Sequence, residues 1–279
     1  MLTWKLWRRL RQHPLEDPVF HYARQRYKRQ QPRRFRFFLL FMLYVFGCLT
    51  CTFIWPLLIR DSMTVIVALV SFGHMAFGAV LAASGGAALA YEREQDTYDL
   101  LCVSPSGTMG ISWSLSAGRV HASTLFDITH FLIILLLLGI GTTAVVAVVL
   151  PFSLMQDNRA NLALPLLGLF AAGFVIVLGL YLDHVQSIVL ATLCGMWAGT
   201  ATTNRLNARL YAGAVFLLLK LSVYFVLLYL ALNLLPGLFV LAFLGLILLV
   251  VLLYLLHEIT VRMLWALLNR TLHNTEQFF

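Results

Sequence analysis

Long apolar runs separated by short polar breaks set the plan of this chain. Phe37–Ile59, Met63–Tyr91, Leu125–Leu150, Asn161–Leu182, Leu210–Leu234 and Leu238–Leu256 each approach or exceed the roughly 20 residues a helix needs to cross a bilayer. Arg60-Asp61 reads as a tight turn between the first two runs. Asp183-His184-Val185-Gln186 interrupts the apolar pattern and reads as a helix break at the interface. Ser187–Thr202 is apolar but short. It reads as re-entrant or interfacial, or as sharing one crossing with part of 161–182; a separate crossing would make seven spans. The pattern predicts an all-α polytopic membrane protein of about six transmembrane helices. One transmembrane domain covers residues 37–257, after a segment 1–36 and before a tail 258–279.

Met63–Tyr91 is unusually rich in small residues, among them Gly78, Ala82, Gly85, Gly86 and Ala87. Lipid gives apolar helices no hydrophobic reason to associate, so close backbone approach supports their packing. This run is therefore expected to be a central packing helix. Ahead of the first span, Leu2, Trp4, Leu6, Trp7 and Leu10 alternate with Lys5, Arg8, Arg9 and Arg11, a pattern for a helix lying in the membrane interface. A second helix is expected to open at Pro18, where a proline suits the first turn.

Composition agrees with the pattern. Of 279 residues, 61% are hydrophobic and 11% charged, with a mean hydropathy of +0.85. A soluble domain carries about 25% charged residues. The net charge of +8 is uneven, because 11 of the 20 Lys and Arg lie in residues 1–36. Beside a span, such a run marks a cytoplasmic flank facing anionic lipid rather than a nucleic-acid site. Six spans with both termini cytoplasmic keep the basic segments on one side of a cell membrane. Residues 1–36 contain no apolar core of a signal peptide. Cys48-x-x-Cys51 has a redox spacing but lies inside an apolar run, where cysteine acts as a small hydrophobe.

The densest charge between the first and last spans is Tyr91-Glu92-Arg93-Glu94-Gln95-Asp96-Thr97-Tyr98-Asp99. Four acids and an arginine so close together face water. With Leu100, Leu101 and Val103 they predict a short amphipathic helix at the membrane surface, ended by Ser104-Pro105. Its use is to seal the membrane face or to dock a soluble partner. Glu92-Arg93-Glu94, Thr97, Asp99-Leu100-Leu101 and Ser104-Pro105 together resemble the signature of type-2 ABC exporter permeases. That signature has Gly where Asp96 stands, an apolar residue at Ser106 and Ser at Gly107. Asp17-Pro18-Val19 is similar to the step that opens the family's amphipathic elbow helix before the first span, and Gly118-Arg119 to its Gly-Lys step.

The resemblance implies a permease subunit that pairs with a second permease, identical or different, and is driven by a separate ATPase subunit. It implies charged contacts or a gate at Glu92, Arg93 and Glu94. It also implies partner contact along the segment that holds Thr97, Tyr98, Leu100, Leu101 and Pro105, with Tyr98, Leu100 and Leu101 packing into the partner's groove. The chain itself has no phosphate-binding Gly-x-x-x-x-Gly-Lys-Ser/Thr loop, so any ATP is bound by another chain, and no catalytic role or cofactor is expected here. Lys220 falls near the middle of its span, as a pathway group or an interfacial anchor. Asp127 and His130 share a helix face and could relay protons or simply cap a helix start. Two other classes stay open. A membrane-embedded enzyme would draw on His74, Asp127, His130, Asp183 and His184, and a secondary transporter would work on an ion gradient without ATP.

Overall fold

The structure is a computed structural model that describes residues 1–11, 17–30, 55–103, 107–123, 126, 160–234 and 242–276. Most of the first span, the 125–150 span with Asp127 and His130, the Cys48–Cys51 pair and Pro105 lie outside the described residues. Described helices are α1 (Leu2–Arg11), α2 (Pro18–Gln30), α3 (Trp55–Glu94), α4 (Thr97–Cys102), α5 (Gly107–Ala122), α6 (Ala160–Ala201), α7 (Arg205–Leu234) and α8 (Ala242–Glu276). Among the described residues no strand occurs. Four stretches among the described residues are long and apolar enough to cross a membrane: His74–Glu94, Phe174–Ala201, Arg205–Leu230 and Leu244–Leu272.

Three expected boundaries are not where the polar punctuation put them. Arg60-Asp61 is not a turn, because α3 passes through it without a break. Asp183-His184 does not break α6, which runs on through Ser187–Thr202. That stretch therefore shares its crossing with the end of 161–182. α8 likewise continues through most of the stretch read as a tail. The physical reason is common to all three. A polar pair interrupts hydropathy, but it neither removes a backbone donor nor frees the backbone as Pro or Gly does.

α3 and α6 form the inner pair. Their spanning stretches are both 61% buried, against 17% for α7 and 22% for α8. α3 and α6 meet through small residues, as the composition of α3 predicts. A Cβ added at Gly195 of α6 would lie 2.9 Å from the Ala82 carbonyl oxygen and 3.1 Å from the Gly86 nitrogen. One added at Gly86 would lie 2.9 Å from the Ala208 carbonyl oxygen of α7. Three backbones thus converge where no side chain fits, and Gly195 with Gly199 supplies a Gly-x-x-x-Gly ridge for the contact.

The N-terminal helices are tied onto this bundle. α1 buries Thr3, Leu6, Trp7 and Leu10, one face at helical spacing. Its first amides donate to Glu258 of α8, Leu2 N–H to Oε1 at 2.6 Å and Thr3 N–H to Oε2 at 3.2 Å. Its last turn is held by His121 of α5, whose Nε2–H donates to the Leu10 carbonyl at 2.6 Å. An anion at the start of a helix and a donor at its end satisfy the groups the helix leaves open. α2 starts at Pro18 as expected, with Asp17 as its cap: Oδ1 accepts from Val19 N–H at 2.9 Å and from Phe20 N–H at 3.4 Å. Asp17 Oδ2 also accepts from Ser114, which fastens α2 to α5.

Candidate functional site

Each member of the Glu92-Arg93-Glu94 triplet is tied to a different helix. Glu92 is fully buried, and its Oε2 accepts from the Thr97 hydroxyl at 2.7 Å. Arg26 and Tyr22 of α2 approach the same oxygen at 3.5 Å. Arg93 Nη1 donates to the Thr200 carbonyl in the last turn of α6. Glu94 Oε1 accepts the backbone N–H of Arg205, the first residue of α7, at 2.7 Å. A cation at a helix C-terminus and an anion at an N-terminus both oppose the helix dipole favourably. Arg26 and Arg205 lie over the Tyr91 ring, at 4.8 and 5.1 Å from its centroid. The triplet is a charged knot that holds the ends of α3, α6 and α7 to α2.

The chain then reverses at Asp96, whose φ of 54° lies in the left-handed region. α4 follows. Tyr98 turns inward, its hydroxyl 2.7 Å from Ser112 Oγ of α5, and packs with Ile111, Leu115 and Leu89. Burial pushes the Tyr98 phenol well above the usual tyrosine range, so it stays protonated. Leu101 is half-buried against the same cluster. Leu100 and Val103, three apart and therefore on one face, are 76% and 85% exposed. Of the three residues expected to pack into a partner's groove, Leu100 alone faces fully outward. Val103 joins it, and Tyr98 is already occupied within the chain. Tyr27 and Arg119 close the inner side, the guanidinium 5.1 Å from the phenol ring centroid. Burial, followed by the nearby Glu92 charge, raises the Tyr27 phenol, and burial lowers Arg119.

A second polar group lies deep between the spans. Lys220 of α7 is fully buried, and its Nζ donates to Asp183 Oδ1 of α6 at 2.5 Å. It also donates to His257 Nε2 of α8 at 2.7 Å, while His257 Nδ1–H donates to the Leu253 carbonyl at 3.0 Å. Tyr224 donates to the other carboxylate oxygen, Asp183 Oδ2, at 2.9 Å. Beside them the His74 ring of α3 and the His184 ring of α6 lie 4.9 Å apart. Counting 1.5 Å per residue, Asp183 and Lys220 lie about 23–26 Å along their helices from the charged knot, within the thickness of a bilayer's hydrocarbon core.

The sequence marks Lys220 without showing its partner, and Asp183-His184 stands there as a helix break or as part of an enzyme's catalytic group. The structure joins Lys220 to Asp183, an ion pair within the bundle. Among the described residues no His, Cys, Asp or Glu group is arranged to hold a metal ion. His257 was missed altogether; its only signal was a polar residue where an apolar run was ending. Asp127, His130 and Pro105 lie outside the described residues. No known protein family, curated protein or solved structure matches the chain.

Proposed function

We propose that this chain is the membrane-spanning permease subunit of an ATP-driven exporter of the type-2 ABC kind, with both termini cytoplasmic, pairing with a second permease and with a separate ATPase. The observation that carries this reading is the wiring of residues 91–103. A short helix presents Leu100 and Val103 outward at one end of the bundle, and the residues just before it bond to the end of α6 and the start of α7. A push on α4 is therefore delivered to two spanning helices at once. An ATPase that closes on ATP would drive them through Arg93–Thr200 and Glu94–Arg205, while α2 serves as the elbow. The resemblance of the motif supplies the kind of partner, and the geometry supplies a route for the force.

The test is co-purification. The tagged chain is expressed with the ATP-binding subunit encoded nearest to it, solubilised gently and pulled down. The ATPase is expected to accompany the native chain and to be lost with Leu100→Asp, which places a charge on the outward face without touching the knot. Glu94→Ala is expected to keep the partner and to lower ATP-driven transport, because it cuts a wire rather than the docking face. If no nucleotide-binding chain ever associates, the reading fails.

A second reading is a transporter driven by an ion gradient without ATP. The Asp183–Lys220–His257 group within the spans favours it, because ionisable residues at that depth concentrate along ion and proton routes. Transport into sealed vesicles that follows an imposed gradient in the absence of nucleotide would select it over the first.

A further inference from the structure

The buried group between the spans has a charge balance that can be read from its hydrogen bonds. Asp183 and Lys220 cancel as a carboxylate and an ammonium. His257 is neutral in this arrangement, because Nδ1 carries the proton that Leu253 accepts and Nε2 accepts from Lys220. Both Asp183 oxygens are taken, one by Lys220 and one by Tyr224. Four helices face this point: α3 with His74, α6 with Asp183 and His184, α7 with Lys220 and Tyr224, and α8 with His257. Glu258, next along α8, is turned away to α1.

His74 offers a position for a further proton. His74 is 8% exposed, and its Nδ1 is buried with no hydrogen-bond partner among the described residues. Its ring lies 4.9 Å from the ring of His184, the residue next to Asp183 on α6. A proton passed from hydronium to a lone pair of this imidazole forms an N–H bond, breaks an O–H bond, and leaves an imidazolium and water. The group then carries two cations, His74 and Lys220, that compete for one carboxylate. We propose that His74 with Asp183, Lys220 and His257 is an intramembrane proton-binding site, and that loading it loosens the hold of Lys220 on Asp183, and with it the tie between α7 and α6. The proposal rests on this geometry and not on the presence of an ATPase partner.

The bland alternative is an ion pair that only fixes the packing of three helices, as buried pairs can do. The experiment separates the two in the folded state. The full chain in lipid nanodiscs is titrated in weak buffer from about pH 8 to about pH 5, the range in which histidine ordinarily changes charge, and proton uptake is followed with an indicator. His74→Leu is expected to take up about one proton per chain fewer than wild type. Spin labels at the exposed positions Phe174 on α6 and Leu221 on α7 report the distance between the helices. That distance distribution is expected to broaden reversibly on acidification in wild type and to be indifferent to pH in Asp183→Asn/Lys220→Met, which leaves no lone buried charge.

Equal proton uptake by wild type and His74→Leu would overturn the proposal. So would a wild-type distance distribution that is the same at both ends of the titration, and this second measurement decides the matter even if a variant fails to fold. Loss of the ATPase partner in the pull-down would leave both results standing, so the two readings fail separately.

Discussion

Lys220 stands alone among the apolar residues of α7, and no acid on that helix can neutralise it. Its counter-charge comes from Asp183, 37 positions earlier, on another helix. Removing one partner of a buried pair leaves an uncompensated charge and costs about 3–5 kcal/mol, whereas replacing both with uncharged side chains is often neutral or stabilising by about 1–4 kcal/mol. Lys220→Met alone is therefore expected to destabilise the chain strongly, and Asp183→Asn/Lys220→Met to recover most of the loss, as read by unfolding in mixed micelles. This pair also shows how far the sequence could be read. The depth of Lys220 was visible from counting along its run; its partner was not, because that needed the packing of α6 on α7. Asp96 shows the opposite case. It stands where the resembling signature has glycine, and the structure puts it in a left-handed conformation that glycine takes without strain. Asp96→Gly is expected to be at least as stable as wild type, and Asp96→Val to fall below Asp96→Gly by about 1–2 kcal/mol in the same assay.

Between helices, the sequence spoke clearly about α3 and poorly about where helices end. The run of glycines and alanines from Gly78 to Ala88 announced close packing, and α3 indeed lies against α6 and α7. Gly195→Val is expected to force α6 away from α3 and to cost about 1–3 kcal/mol, the usual range for overpacking a tight contact. Thermal unfolding, with Gly213→Val as the comparison, checks it: a Cβ at Gly213 meets nothing closer than 3.8 Å. At the junction of α2, α3, α4 and α5, the buried phenols of Tyr27 and Tyr98 hold their protons above the ordinary tyrosine range. Above about pH 10 the unfolded chain loses these protons first, so it binds fewer than the folded one, and stability falls as pH rises. The stability they contribute is fully present below about pH 10 and is lost on the alkaline side. Melting of wild type and Tyr98→Phe between about pH 9 and pH 11 should show a weaker fall in the variant.

Taken whole, the described bundle has an inner pair, α3 and α6, and an outer pair, α7 and α8, whose outward faces carry large apolar residues such as Leu218, Phe225, Leu248 and Leu255. Two polar levels run across it, the charged knot at one end and the ion pair well inside. The first was legible because its charges are contiguous in sequence. The second was not, because it is assembled from single residues on separate helices. The boundary at Asp183-His184 was misread for a related reason: a polar residue deep in a bundle marks a partner on a neighbouring helix as readily as it marks an end.

The seat of α1 has a consequence for the order in which this protein can mature. The first ten or so residues leave the ribosome long before Glu258, yet Glu258 supplies the acceptor for the amides of Leu2 and Thr3. Until α8 has been synthesised and inserted, α1 has no place to dock, and its apolar face must wait at the lipid surface. Nascent chains with cysteine at Leu10, arrested at increasing lengths, should therefore label readily until α8 is in the membrane and then become protected. Protection before residue 258 has emerged would contradict this order. Docking of α1 would then act as a checkpoint, a signal that α8 has arrived.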